Sequence, residues 1–365
     1  GCGGADKITC HSTRELGMRK YRNQIILGLL ISVALYVLVL IVFDSQGQSA
    51  VGVAEALASF PVAGFLVVAL AQTGTFFTRF FTWQYYMGVV GAHSRMSLGD
   101  SALIFVTGFV MVVSPGKAAE LLKAVLVKVK TEVPVARTVP VIIAERVVDG
   151  LSVLALLTLT LIVSGDQLDL GDYYDFSRTI IFSSSAFIGF ALVAVQVRPL
   201  GNAVLRVIAG LPVVRRAHHW FTDLYESARE IFSPRHVAVT AIFGFGTYGF
   251  TALAFILTLA AFGLPLSLTL CLQATFIVGV GTAIGALSFI PNGAGITEFS
   301  QAAMLMAIVA PSHPELTIGV AAAAALIEGF FHKWYRVIVG LGITFIFRDR
   351  LFNPTVEREL AVADR

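Results

Sequence analysis

Residues 139–163 read VPVIIAERVVDGLSVLALLTLTLIV, an apolar run interrupted by Glu145, Arg146 and Asp149. The run is longer than the roughly 20 residues that cross a bilayer. A charge at the bilayer centre is costly, so such residues usually pair with one another and face a cavity. Glu145 and Asp149 are spaced i, i+4 and face the same way on a helix, with Arg146 as a local countercharge. This stretch therefore predicts a membrane-spanning helix that carries a polar site.

The whole chain shares this apolar character. Of its 365 residues, 56% are hydrophobic and 13% are charged, and the mean hydropathy is +0.82. An ordinary soluble domain has fewer apolar residues and about twice the share of charged ones. We therefore expect an all-α polytopic membrane protein with a single transmembrane domain over residues 25–347 and no soluble catalytic domain. Runs long enough to cross the membrane lie near residues 25–43, 58–80, 139–163, 179–197, 237–262 and 317–347.

Two further apolar stretches are broken by proline and glycine. Residues 101–114 are too short to cross comfortably and end in a Ser-Pro-Gly sequence, after which residues 117–130 are amphipathic. Residues 268–311 are interrupted at 290–295. Each stretch is predicted to form a re-entrant hairpin, which enters the membrane and leaves it on the same side. The expected fold is six full spans plus two re-entrant broken helical hairpins.

The charges in the loops orient these elements, because Lys and Arg mark cytoplasmic loops. Basic residues are concentrated in the N-terminal segment 1–24, in the amphipathic segment 198–236 and in the tail 348–365, whereas the loop 164–178 is acidic. We therefore expect a multi-pass protein of the cell (plasma) membrane with both termini in the cytoplasm.

With this orientation, the two halves of the chain have the same order of elements. Residues 25–163 and residues 179–347 each contain spans and a broken hairpin, but they start from opposite sides of the membrane. This is the inverted-repeat arrangement of many transporters. Short apolar runs and Pro-Gly breaks also occur in plain helix-packing proteins, where neighbouring helices satisfy the freed backbone groups.

The break in the first hairpin is a candidate anion site. Its serine suits a helix N-cap and its proline the first helical position. The helix that begins there would direct free N–H groups and its positive dipole end at a phosphate headgroup. A capped interfacial helix whose lysines reach the membrane surface is the alternative. The candidate residues are Ser114, Pro115, Gly116, Lys117, Glu120 and Lys123.

The break in the second hairpin has the same ingredients on the opposite side. Its two glycines let a ligand or another backbone approach closely, and an acidic residue follows. A simple turn between two helices explains the same sequence. The candidate residues are Pro291, Asn292, Gly293, Gly295 and Glu298.

The last predicted span contains a second group of intramembrane charges. Glu328, His332 and Arg336 recur at i, i+4 and i+8 on one face, and Lys333 lies beside them. Arg79 lies at the end of the second span, where it either joins the site or marks the membrane interface. Intramembrane charge suggests a functional site, although ion pairs that only fix the helix register would give the same pattern.

Other kinds of site are not expected. Cys2, Cys10 and Cys271 lie far apart, so neither a disulfide framework nor a metal site is predicted. No catalytic or cofactor motif such as GxSxG, a P-loop or a dinucleotide fingerprint occurs in the sequence. The net charge of +3 is spread over separate loops, which argues against a nucleic-acid partner. Anionic lipid headgroups are the expected partners.

At these same residues the chain resembles the flippase-like, lysylphosphatidylglycerol synthase transmembrane-region family, the membrane part of the multiple peptide resistance factor. The likeness extends from about residue 20 to about residue 350. The family commonly has Pro-Gly-Arg-x-Gly-Glu and a later Arg, where this chain has Lys117, Ala119 and Lys123. Headgroup preference is therefore open, since Lys binds phosphate without the bidentate fork of Arg. The matching motifs are Arg79 with Trp83, Pro115–Glu120, Glu145–Asp149, Pro291–Glu298 and the last charged span ending in Arg336.

The resemblance implies a lipid translocase that moves an anionic phospholipid, an aminoacyl-phospholipid, or a polyprenyl-linked or other glycolipid between leaflets. It does not imply aminoacyl transfer, which belongs to a separate soluble domain, so we expect no enzyme activity and no cofactor. Two alternatives stay open: a membrane partner that docks a glycosyltransferase or other lipid-modifying enzyme through residues 198–236, and an intramembrane transferase. A homo-oligomer is also compatible with the sequence.

Overall fold

The computed structural model describes residues 30, 34, 37, 50–111, 121–164, 173–201, 203, 218–288 and 290–351. These residues are helical or lie in short connections, and none of them forms a strand. In chain order the helices are α1 (Ala50–Ser59), α2 (Val62–Val89), α3 (Leu98–Met111), α4 (Leu121–Thr131), α5 (Val135–Ser164), α6 (Tyr173–Gln196), α7 (His218–Ile231), α8 (Pro234–Ala261), α9 (Leu268–Leu287), α10 (Ile296–Met304), α11 (Ile318–Gly329), α12 (Arg336–Ile346) and α13 (Arg348–Leu351).

Four short turns of other helix types complete the described secondary structure. His93–Arg95 and Pro291–Gly293 are 3₁₀ turns. Leu305–Val309 continues α10, and Phe330–Tyr335 joins α11 to α12, both as π-helical turns. The predicted span at 317–347 is therefore one continuous helical run with a π turn near its middle.

Five helices are long and apolar enough to cross a membrane: α2, α5, most of α6, α8 and α9. The chain is accordingly a polytopic all-α membrane protein. The predicted span at 25–43 lies almost entirely outside the described residues. Helix α9 has 20 residues and could cross by itself, so the count of six spans and the re-entrant nature of 268–311 stay predictions.

Helices α2 and α8 form the central antiparallel pair. Thr78 and Thr247 are joined by a hydroxyl–hydroxyl hydrogen bond of 2.7 Å, and the Tyr86 hydroxyl lies 3.0 Å from that of Thr240. Small and hydroxyl-bearing residues at such contacts are typical of membrane helices, where backbones pack closely and polar groups bond between helices. Helices α3 and α5 pack against α2, and α5, α9 and α11 pack against α8.

Helices α3 and α4 form a hairpin whose outer ends lie together, as do α9 and α10. Arg95, just before α3, donates from Nη1 to the carbonyl of Thr131 at the end of α4 (3.2 Å). In the second hairpin, Nε2 of Gln273 near the start of α9 donates to the carbonyl of Ile308 beyond α10 (3.1 Å). The first helix of each hairpin packs against the last helix of the other half: α3 against α12 and α9 against α5.

The described part of the basic segment 198–236 includes α7, which is amphipathic. Its apolar side packs against α5, and Ile231 is fully buried. Oγ of Ser227 donates to the carbonyl of Arg137 (2.9 Å), which fixes α7 at the start of α5. Helix α7 is therefore part of the folded core.

Candidate functional site

The carboxylate of Asp149 is held between two arginines. Nη1 of Arg79 lies 3.0 Å from Oδ1 and 3.1 Å from Oδ2, and Nη1 of Arg146 lies 3.2 Å from Oδ2. Asp149 lies near the middle of the 30-residue helix α5, about 20 Å from its start at 1.5 Å per residue. This depth places the group in the hydrocarbon core if α5 crosses the membrane.

One turn earlier on α5, Glu145 pairs with Lys123 from the first hairpin. Nζ of Lys123 lies 2.9 Å from Oε2 and 3.1 Å from Oε1, and both side chains are about nine-tenths buried. The same ammonium sits 4.2 Å from the ring centre of Trp83 on α2. A cation over an indole face is attracted by the ring quadrupole. The lysine is thus enclosed by a carboxylate and an aromatic face, with Gly108 leaving room for its stem.

A small cavity of about 40 Å³ lies between these groups, enough for one or two water molecules. Side chains from α2, α3, α4, α5 and α8 meet there. Glu145 and Asp149 both line it, as their spacing predicted. The full lining consists of Arg79, Thr82, Phe105, Gly108, Phe109, Lys123, Glu145, Arg146, Val148, Asp149, Gly244 and Thr247.

The second hairpin carries a corresponding buried ion pair. Nζ of Lys333, in the π turn after α11, lies 2.9 Å from Oε1 of Glu298 on α10, and these side chains are 3% and 1% exposed. The same ammonium donates to the carbonyl of Gly293 (3.2 Å), while Oε2 of Glu298 accepts from the N–H of Gly295 (2.8 Å). Glu298 therefore caps its own helix at the position where the sequence suggested an external anion.

Each half of the chain thus has a buried lysine–glutamate pair at its hairpin, and the positions of the two residue types are exchanged between the halves. In the first half, a lysine on the second hairpin helix pairs with a glutamate on the following helix. In the second half, the glutamate is on the second hairpin helix and the lysine follows. Each pair ties a hairpin to the last helical segment of its own half.

A third group, Glu328, His332 and Arg336, lies between these pairs. Oε1 of Glu328 is 3.9 Å from Nδ1 of His332, and Nε of Arg336 donates to the carbonyl of His332 (2.6 Å). Arg336 stacks over Phe109, which lines the cavity, with 5.9 Å from guanidinium to ring centre. Within the described chain, Arg336 has no carboxylate within 4 Å, but its charge acts on Asp149 and on Arg79.

The three groups form one continuous electrostatic cluster. The charge of Arg79 interacts with the charges of both Glu145 and Asp149, and the charges of Arg79 and Lys333 act on His332. Among the described residues, five cations face four carboxylates, so the ionised cluster has one excess positive charge. Its cations are Arg79, Lys123, Arg146, Lys333 and Arg336, and its carboxylates are Glu145, Asp149, Glu298 and Glu328.

The family model for the lysylphosphatidylglycerol synthase TM region matches residues 25–340. The chain belongs to this family. A comparison with curated protein sequences gives no match. Family membership confirms the resemblance drawn from the motifs and implies a membrane role connected with lipids.

In this family member, the structure brings together most of the described residues that the sequence singled out. Arg79 joins the site, and Glu145 takes its partner from the hairpin while Arg146 pairs with Asp149. Pro291 and Asn292 form the turn before Glu298, with Asn292 in the left-handed region at φ 57°. The predicted residues Ser114, Pro115, Gly116, Lys117 and Glu120 lie outside the described residues.

Sequence reasoning missed several residues of the site in this lysylphosphatidylglycerol synthase TM-region protein. Trp83 was noted only as part of a motif, and Phe105, Phe109, Tyr248 and Gln301 were not noted. Aromatic side chains are common in membrane helices, so their type alone gave no signal. The family motif that pairs Arg79 with Trp83 was the one available hint. In the described part of the chain no group of three or more His, Cys, Asp or Glu residues is placed to hold a metal ion.

Proposed function

We propose that this protein translocates lipids with an anionic headgroup between the leaflets of the cell membrane, without a chemical step. The observation that carries the proposal is the cation excess in the cluster, and above all Arg336, which has no carboxylate partner within the described residues. Buried charges are costly in a membrane unless they are paired. A phosphate group that reaches this cluster as access alternates would supply the missing negative charge.

The family supports a lipid as the cargo, since its name refers to a lysylated phospholipid. An anionic phospholipid, an aminoacyl-phospholipid and a polyprenyl-linked or other glycolipid all carry a phosphate or another polar headgroup that fits such a site. The acyl chains would stay in the bilayer while the headgroup passes through the polar interior.

The reciprocal packing supports an inverted-repeat mechanism. The antiparallel contact of α2 and α8, the two hairpins and the exchanged ion pairs all relate the first half to the second. Inverted repeats allow alternating access by rocking one half against the other around a central site. In this mechanism the hairpins are re-entrant, and Glu145, Asp149, Glu328 and Arg336 exchange partners as access alternates.

Leaflet exchange in liposomes tests the proposal. Purified protein is reconstituted with fluorescent anionic phospholipids, aminoacyl-phospholipids or polyprenyl-linked lipids, and an impermeant reductant bleaches the label in the outer leaflet. We expect faster exchange of at least one anionic lipid than in protein-free vesicles. Arg336→Gln should slow this exchange about tenfold or more, since a hydrogen bond to a charged group is worth roughly 1.5–3 kcal/mol.

Arg178→Gln is the matched control. Arg178 at the start of the candidate span in α6 also stacks on a phenylalanine, with 5.7 Å from its guanidinium to the ring centre of Phe182, but it lies outside the cluster. Its loss should leave exchange unchanged. Equal exchange with and without the wild-type protein, for every lipid in the set, would overturn the proposal.

A docking role has one observation in its favour. A polar groove of about 480 Å³ lies between α7 and the neighbouring ends of α5, α6 and α8, and both acidic and basic side chains line it. A partner such as a lipid-modifying enzyme or glycosyltransferase would bind there. Reversing the charge of Asp223 and Glu226 together should abolish co-purification of that partner while leaving leaflet exchange intact.

A further inference from the structure

Glu328 is a buried carboxylate whose hydrogen-bonding capacity is only partly used. It lies near the end of α11 and is 2% exposed. Its Oε1 lies 3.9 Å from Nδ1 of His332, beyond hydrogen-bond range, and its Oε2 has no hydrogen-bond partner among the described residues. A buried ionised carboxylate normally accepts several hydrogen bonds or is paired with a cation.

The neighbours from the second hairpin do not neutralise this carboxylate. Glu298 on α10 faces it with a second negative charge, and the ammonium of Lys333 is already bonded to Glu298 and to the carbonyl of Gly293. Gln301 on α10 faces Glu328 and can donate to its charged form. However, neither amide atom of Gln301 completes a hydrogen bond of good geometry.

The remaining elements packed on α11 add no close countercharge. From α8, Thr251 contacts His332 at 3.4 Å, and Tyr248 is the nearest ionisable group, 6.5 Å from the His332 ring. From α1, the single ionisable residue Glu55 is exposed, and the π turn Leu305–Val309 has none. Arg336 acts on Glu328 from its own helical run but is also shared with the Asp149 group.

We propose that Glu328 is the binding site for a coupling proton, so that a proton gradient drives the lipid movement. This inference rests on the proposed function. The step is a simple protonation: Glu328 gains a proton from water on one side of the membrane and becomes a neutral acid, and it returns the proton to water on the other side after access has alternated. His332, whose Nδ1 lies 3.9 Å from Oε1 of Glu328 and which also contacts Thr251 of α8, is the relay.

Coupling follows from the charge of the cluster. With a proton on Glu328, five cations face three carboxylates, and the cluster attracts an anionic headgroup more strongly. Loss of the proton restores a negative charge near Arg336 and favours release of the headgroup. Because linkage is reciprocal, the bound lipid raises the affinity of Glu328 for its proton by the same factor. Lipid and proton therefore move together.

Infrared titration of the purified protein in nanodiscs tests the proton site without any transport. The carbonyl band of a protonated carboxylic acid should persist to higher pH than for exposed carboxyls and should be lost in Glu328→Gln. Glu315→Gln, which changes an exposed carboxylate, is the control and should keep the band. A band that is absent from the wild type, or unchanged in Glu328→Gln, would overturn the assignment.

Transport under a pH gradient tests the coupling. A gradient of one pH unit should shift an anionic lipid towards the alkaline leaflet by up to about tenfold if one proton accompanies each lipid. Glu328→Gln should lose this shift, and Glu328→Asp, which keeps an acid and guards against misfolding, should retain it. If the gradient does not change the lipid distribution produced by the wild type, proton coupling alone is overturned. No exchange of any lipid, with the infrared band intact, would instead overturn the proposed function.

Discussion

The buried ion pair between Lys123 and Glu145 is expected to stabilise the fold. Glu145→Gln keeps the shape but removes the negative charge that pairs with the buried Lys123 ammonium, which then faces the rings of Trp83 and Phe105 and a neutral amide. Removing one partner of a buried pair costs about 3–5 kcal/mol, because an uncompensated charge remains. We expect a clearly lower midpoint of thermal unfolding in detergent.

A double variant separates the charge from the packing in this pair. Lys123→Met with Glu145→Gln removes both charges and should recover most of the lost stability, while lipid exchange stays slow. Glu55→Gln, on the exposed side of α1, should behave as the wild type in both measurements. A Glu145→Gln protein that melts with the wild type would contradict the buried pair.

Gly293 occupies a position where a side chain has no room. It has φ of +61°, and a Cβ there would lie 2.9 Å from Cα of Gly285. Gly91 has a similar φ of +74° but open space around it. Gly91→Ala should therefore cost only the left-handed backbone term of about 1–2 kcal/mol. Gly293→Ala should cost more, since the carbonyl that binds Lys333 must also move.

Unfolding of these two glycine variants in detergent measures the difference. Equal losses would show that the approach of Gly293 to α9 is loose, and that backbone conformation alone keeps glycine at this position. A larger loss in Gly293→Ala, accompanied by slower lipid exchange, is the expected result.

At the scale of the elements, Asp100 joins three chain segments. It lies in the first turn of α3, outside the five candidate spans. Its Oδ1 lies 3.4 Å from Lys130 of α4 and 3.0 Å from Arg350 of α13, and Ser97 donates to its Oδ2. Partial burial favours the neutral acid, but the hydrogen bond from Arg350, that from Ser97 and the charge of Lys130 outweigh it, so the pKa of Asp100 is lowered.

The sign of the pH dependence follows from this lowered pKa. The unfolded chain binds the proton of Asp100 more readily than the folded one does, so the stabilisation is complete above the ordinary aspartate pKa of about 4. It is lost as the pH falls through the lower folded value. Asp100→Asn should therefore melt earlier than the wild type at neutral pH, and the gap should close in acid.

Asp175→Asn is the control for this measurement, because Asp175 also lies in the first turn of a helix but is exposed and outside this group. Its melting should follow the wild type at every pH. A gap between Asp100→Asn and wild type that does not change with pH would rule out the ion pairs as its cause.

The sequence predicted the elements better than it predicted their contacts. Long apolar runs place α2, α5 and α8 correctly, because membrane length and hydropathy are local properties of the chain. Arg146 pairs with Asp149 on its own helix, but Arg79 and Lys123, the other partners of Asp149 and Glu145, come from other helices, which no local pattern specifies. The π turn at Phe330–Tyr335 was also not predicted. It contains both His332 and Lys333, and Lys333 pairs there with Glu298 of α10.

In the whole molecule, the two halves are predicted to have inverted orientations in the membrane. The ends of the first hairpin meet beside α13, where Asp100 and Arg350 are paired. The ends of the second hairpin meet at Gln273 and Ile308. If the hairpins are re-entrant and the halves inverted, the first pair of ends faces the cytoplasm and the second pair faces the opposite side.

Cysteine accessibility in sealed vesicles of known orientation tests this arrangement. With Cys271 and the N-terminal cysteines replaced, single cysteines go to exposed positions before and after each hairpin: Ser94 and Pro134 for the first, Ser267 and Ser312 for the second. An impermeant thiol reagent should label the first two from the cytoplasmic side only and the last two from the opposite side only. Labelling of Ser267→Cys and Ser312→Cys from different sides would make α9 a full span without a returning partner. In that case the two halves would have different topologies, and alternating access by inverted repeats would lose its structural basis even if lipid exchange were observed.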